Sequence, residues 1–273
     1  MTLRVLDVRG RKVAIAEAGQ GRPVVYLHGF ADVHAVAADF QPFHQALAEK
    51  FHLIAPAHPG LNGSDELSDG WSINDIAFHY LEVFDALGLE QFDLIGHCVG
   101  GWIAAELAVR HPERIRSLTL IGACGLFVAG QPTADIFMHA QPERGVDYAT
   151  LRNLLFSGSN SAAALRWYPN GRGDLDEETR RYQMLRFGSF MGFRPPYFYD
   201  RALVDRLHRA RMPSLVLWGE SDHMVPSTHG AAYANGLPVC SGLKIIPGAG
   251  HAIPLEFPAP TANECISFLA RPS

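Results

Sequence analysis

The segment Pro23 to Leu27 reads Pro-Val-Val-Tyr-Leu, an apolar run without a break that is the mark of a strand buried on both faces. Leu215 to Gly219 and Ile115 to Ile121 add buried strands of the same kind, and Phe51 to Pro56, Gln91 to Gly96 and Leu243 to Ile246 complete the set. Helix-like stretches lie between them: Gln41 to Lys50, Ile73 to Leu87 with Ser72 as its cap, and Trp102 to Val109 before Pro112. Strands alternating with helices predict an α/β fold on a mostly parallel central sheet with flanking helices. Leu3 to Val8 and Lys12 to Ala18 flank Arg9-Gly10-Arg11 and read as a hairpin ahead of it.

From about 127 to 207 strand alternation stops and helix formers and aromatics dominate, which predicts a helical cap inserted into a core made of residues 1–126 and 208–273. The length of 273 residues suits one large core with such an appendage. A net charge of -5, with Lys and Arg spread along the chain, supplies no basic field for a polyanion, so no nucleic acid partner is expected. Arg201, Arg206, Arg209 and Arg211 alternate with Leu203, Val204 and Leu207 and read as the wet face of an amphipathic helix. The charged N-terminus and the lack of any long apolar window predict a soluble, cytoplasmic chain without membrane contact. The four cysteines, Cys98, Cys124, Cys240 and Cys265, are widely spaced and form neither a disulfide framework nor a zinc pattern. No cofactor and no metal are expected, and the oligomeric state is left open.

Gly96-His97-Cys98-Val99-Gly100 follows a strand and opens a helix. In that context flanking glycines let strand and helix approach closely and force the middle residue into a strained turn with its side chain held out. His28-Gly29-Phe30 follows the third strand, Pro59-Gly60-Leu61-Asn62-Gly63-Ser64 the fourth, Trp218-Gly219-Glu220-Ser221-Asp222 ends the penultimate one, and Gly248-Ala249-Gly250-His251 follows the last. With these motifs in this order, the chain resembles the α/β-hydrolases over essentially its whole length, specifically capped esterase and lactonase-like members. Dienelactone hydrolases are the relatives known for Cys at the nucleophile position, where most have Ser.

The resemblance implies Cys98 as nucleophile, His251 as general base and acid, and Asp222 as the residue that orients His251. Glu220 is the competing acid; Asp93 lies inside a strand, and the alternative acid position after the sixth strand holds Cys124-Gly125. The oxyanion would be held by the backbone N–H groups of Phe30 and Val99. His97 and His28 read as scaffold residues, and Cys124, Cys240 and Cys265 as packing residues. An apolar pocket drawn from His28, Phe127, Phe137, Trp167 and Phe190 would favour a small-molecule apolar or aryl ester, thioester or lactone. Other readings are a meta-cleavage C–C hydrolase, whose elbow typically carries Asn where this chain has His97, an acyltransferase, a ligand-binding protein on a hydrolase scaffold, and a serine esterase with Cys substituted for its Ser.

Overall fold

The computed structural model describes residues 1–68, 71–134, 136, 147–171, 173–192 and 198–271. Its eight strands are β1 (Thr2–Val8), β2 (Arg11–Ala18), β3 (Pro23–Leu27), β4 (His52–Pro56), β5 (Phe92–His97), β6 (Ile115–Ile121), β7 (Ser214–Gly219) and β8 (Cys240–Ile246). They form one sheet in the order β1-β2-β4-β3-β5-β6-β7-β8. The hairpin β1–β2 and the β2–β4 pair are antiparallel, and every pair from β4 onward is parallel. The sequence expectation of a mostly parallel sheet therefore holds.

Both faces of the central strands are covered, which is why those strands read as continuous apolar runs rather than alternating ones. Val25, Leu27, Leu94, Leu118, Leu120, Val216 and Trp218 join one core cluster with α2 (Ile73–Ala86), α3 (Val99–Arg110) and α8 (Ser227–Gly236). Val24, Tyr26, Ile95, Ile121, Leu215 and Leu217 join the other with α1 (Pro42–Ala48) and α10 (Pro258–Leu269). The successive residues of one strand thus divide between two layers.

Between β6 and β7 the described residues form α4 (Tyr148–Leu155), α5 (Ala162–Trp167) and α6 (Leu175–Gly192), with no strand beyond an isolated bridge at Tyr199. Asp147 caps α4 and Ser161 caps α5 by accepting from the amides of Thr150 and Ala164. The amphipathic helix read over 201–211 is shorter: α7 covers only Leu203–Arg206 before tightening into a 3-10 turn at Leu207–Arg209. There the Asp205 carbonyl bonds to His208 Nδ1, and Pro213 bars further helix. The four arginines are on the wet side, as read. The short helix α9 (Ile253–Glu256) begins two residues after His251. No helix among the described residues is long and apolar enough to cross a membrane.

Candidate active site

Cys98 sits between β5 and α3 with φ 56° and ψ −119°, a left-handed conformation that a non-glycine residue adopts only when its surroundings enforce it. They do so partly through backbone bonds. Cys98 N–H donates to the Ile121 carbonyl at 2.9 Å, and the Cys98 carbonyl accepts from Gly101 and Cys124 at 3.0 Å each. Tight packing supplies the rest: a Cβ on Gly100 would lie 2.1 Å from the Leu27 carbonyl oxygen, and one on Gly29 would lie 2.7 Å from the Cys98 Cβ. The third strand, the loop that follows it and α3 therefore meet at a point where only glycine fits. α3 starts at Val99, three residues earlier than its composition suggested, so the Val99 amide lies in the first turn, where helix amides have no intrahelical acceptor.

His251 is fully buried beside the elbow, and its Nδ1 lies 2.8 Å from Asp222 Oδ2. The other Asp222 oxygen accepts from the amides of Met224 and Val225 at 2.9 and 2.8 Å, which aims the carboxylate. Glu220 is used elsewhere, accepting from the Gly248 amide at 2.9 Å. Asp93 accepts from the Ser117 hydroxyl and pairs with Arg22 near the start of β5, at the opposite end of that strand from the elbow. Of the three acids weighed in the sequence, Asp222 is thus the one against His251. His251 Nε2 has no hydrogen-bond partner among the described residues.

Cys124 does more than pack. Its sulfur is 3.8 Å from that of Cys98, and both residues are fully buried. Burial pushes the Cys98 thiol up, yet the hydrogen bond with Cys124 and the charge of His251 outweigh it and bring Cys98 well below the ordinary thiol range. Burial and the same bond drive Cys124 the other way, so Cys124 is the donor of the pair. For His251 burial works downward, and the Asp222 carboxylate and the Cys98 sulfur reverse it and hold the ring at about 10. Both shifts favour the thiolate on Cys98 and the imidazolium on His251.

A second acid–histidine set was not read from the sequence. Asp32, two residues beyond Phe30, accepts from the amides of Gly29 and Val33 at 3.2 and 2.8 Å and from the Tyr26 hydroxyl. His97 Nδ1 lies 2.7 Å from Asp32 Oδ2, and His97 Nε2 lies 3.0 Å from the His251 carbonyl. His97 thus bridges Asp32 and the His251 carbonyl and ties the Gly29–Phe30 loop to the backbone of His251. Burial alone would raise Asp32; the hydrogen bonds from His44 and His97 keep it well below the usual carboxylate range. His28 and His58 stack with centroids 3.9 Å apart, and His58 N–H donates to His28 Nε2 at 3.1 Å. Burial lowers His58 to about 3 and His34 and His79 to about 4. His28 and His97 are therefore held inside the scaffold, as their sequence context suggested.

The segment between β6 and β7 reaches the same place. The Phe198 ring stacks on Phe30 at 5.9 Å, the Tyr168 hydroxyl donates to the Phe30 carbonyl at 3.4 Å, and the Leu155 carbonyl accepts from Ala252 N–H at 2.6 Å. The residues read as a pocket divide. His28 is buried among His34 and His58; Trp167 is buried in α5 with Arg166 over its ring at 4.7 Å; Phe190 borders a recess with Trp71 and Phe187. Phe127 does not fit the expectation: it is 43% exposed, held outside by Arg201 over its ring at 4.4 Å. Phe137 lies outside the described residues. Among the described residues no group of three or more His, Cys, Asp or Glu side chains is arranged to hold a metal ion.

The family described as alpha/beta hydrolase fold matches residues 22–258, and the chain belongs to that family. It is a hydrolase, in keeping with its named relatives. A 2-hydroxymuconate semialdehyde hydrolase of Pseudomonas sp. (strain CF600) is 35% identical over 276 residues, spanning 98% of this chain and 93% of its own length. Monoacylglycerol lipase abhd6-B of Xenopus laevis is 26% identical, over 94% of this chain and 78% of its own. Among solved structures, a membrane phospholipase A, a bacterial virulence factor, has a TM-score of 0.80 at 24% identity, covering 98% of this chain and 85% of that one; this likeness shows the fold.

Proposed function

We propose that the protein hydrolyses small apolar or aryl carboxylic esters, thioesters or lactones through a thioester on Cys98, with 127–207 serving as a cap over the site. The observation that carries this reading is the Cys98 sulfur beside an imidazole that Asp222 orients at 2.8 Å. The thiolate attacks the carbonyl carbon, and the amides of Phe30 and Val99 stabilise the oxyanion that forms. Collapse breaks the bond to the leaving group, which takes the proton on His251 Nε2 and departs as an alcohol or thiol. Water then attacks the thioester while His251 removes its proton. The second adduct expels the Cys98 thiolate and releases the carboxylic acid, with the imidazolium restored. Such an adduct on sulfur expels thiolate in preference to an amine, so good leaving groups are favoured over amides. A free thiol at the site suits a reducing compartment such as the cytoplasm.

Acid-quenched intact mass after mixing with an activated aryl ester is expected to show one acyl group, mapped to Cys98. Ester hydrolysis that persists at the wild-type rate in Cys98→Ala would overturn the assignment. The 35% identical 2-hydroxymuconate semialdehyde hydrolase favours a second reading, cleavage of a carbon–carbon bond next to a ketone. Comparing kcat/KM for aryl esters with that for a meta-cleavage dienoate separates the two: at least about tenfold in favour of esters is expected, and the reverse ratio selects the second reading.

A further inference from the structure

All four cysteines are free, and two of them meet at the active site. β5 and β6 are parallel neighbours in the register His97 to Ile121, so the chain leaves both strands side by side and carries Cys98 and Cys124 to the same edge of the sheet. Cys124 N–H donates to the Cys98 carbonyl at 3.0 Å, a direct backbone bond that holds the two residues side by side. The Tyr233 hydroxyl donates to the Cys124 carbonyl at 2.5 Å and fixes it from the other side. The sulfurs, 3.8 Å apart, must close to the bonding distance of about 2.05 Å. Cys265 is buried in the cluster on the opposite face of the sheet, and the Cys240 sulfur contacts its own turn at Gly242.

We propose that Cys98 and Cys124 form a reactive dithiol that reduces a hydroperoxide and closes into an intramolecular disulfide, a modification that reversibly blocks the acyl chemistry. The inference rests on the reading of Cys98 as an active-site thiolate, though it requires no ester substrate. The Cys98 thiolate attacks the terminal oxygen of a hydroperoxide, and the oxygen–oxygen bond breaks. The released alkoxide or hydroxide takes the proton of His251 and leaves as an alcohol or water. Cys98 is now a sulfenic acid, oxidised by two electrons as the peroxide is reduced by two. Cys124, poised as the hydrogen-bond donor, loses its proton and attacks the Cys98 sulfur. The sulfur–oxygen bond breaks, the hydroxyl leaves with that proton as water, and the disulfide remains. An external dithiol returns both residues to thiols by exchange.

The test treats the full chain with equimolar hydrogen peroxide, alkylates remaining thiols, and reads intact mass and non-reducing peptide maps. The expected result is the loss of two hydrogens, a peptide linking Cys98 to Cys124, loss of ester hydrolysis, and full recovery with dithiothreitol. In Cys124→Ala, and in Cys124→Ser as a second variant, Cys98 is expected to be captured by dimedone as sulfenic acid and then to over-oxidise, with inactivation that dithiothreitol no longer reverses. Wild-type protein in which Cys98 oxidises while Cys124 is still alkylated overturns the inference, as does an unchanged mass. The acyl-adduct measurement is run on the same preparation. An adduct on Cys98 without a disulfide sinks this inference alone; a disulfide without an adduct sinks the hydrolytic reading alone.

Discussion

Two aspartate–histidine pairs stand within the same buried site and are nearly identical as pairs. Asp222 and His251 are 2.8 Å apart, Asp32 and His97 2.7 Å, and all four side chains are nearly or wholly removed from solvent. They differ in the second ring nitrogen. That of His97 is committed to the His251 carbonyl, whereas that of His251 has no hydrogen-bond partner among the described residues and lies in the field of the Cys98 sulfur. A histidine with both nitrogens fixed holds a backbone in place; one with a single nitrogen fixed can carry a proton. The carboxylate supplies orientation in both cases, and the open nitrogen decides the role.

The comparison is broken most directly at the open nitrogen. His251→Ala is expected to lower kcat/KM for an aryl ester by about 10⁴-fold in steady-state assays; a loss below about tenfold would mean that Nε2 relays no proton. Asp222→Asn leaves the ring in place but removes the charge that raises it, and a loss of about 10²–10³-fold is expected. The accompanying signature is in alkylation of Cys98 by iodoacetamide. In the wild type the rate is expected to fall less with decreasing pH than that of an ordinary thiol, because the Cys98 thiol is held below its ordinary range; in the variant it falls as for an ordinary thiol.

Asp32→Asn acts through His97 on the position of the His251 backbone. About a tenfold loss of kcat is expected with little change in KM, together with a fall of several degrees in Tm from breaking a buried charge cluster. A kinetic loss as large as that of Asp222→Asn would erase the distinction between the pairs. Glu220→Gln, which touches only the turn amide of Gly248, is expected to stay within about twofold of wild type.

The sheet and the Cys98, His251 and Asp222 set were legible because each announces itself locally. Unbroken apolar runs mark strands buried on both faces, and Gly-rich turns at strand ends mark places where backbones must touch. Asp32 and Cys124 gave no such signal, since their roles come from contacts between loops that follow different strands. A trace was present in both: Asp32 follows two residues after Phe30, in the loop expected to hold the oxyanion, and Cys124 occupies the position where an alternative acid was sought. Aromatic composition pointed to the helical segment but could not tell inward rings from outward ones, hence Phe127. Its ring is held at the surface by Arg201, which lies 74 positions further along the chain in the numbering of the sequence.

The buried histidines also set how many protons the chain absorbs when it unfolds. His34, His58 and His79 remain neutral in the folded protein down to about 4, 3 and 4, whereas an unfolded histidine accepts its proton near 6.5. Their contribution to stability is therefore whole above about pH 6.5 and is lost as the pH falls toward those lower values, at about 1.4 kcal/mol per pH unit for each ring. Three rings together make about 4 kcal/mol per unit, so Tm measured from pH 7 to pH 5 should drop steeply; burial lowers His28 in the same way, and substituting any one of these rings by an apolar residue should flatten the slope. The burial that removes these rings from solvent thereby makes acid the condition the fold tolerates least.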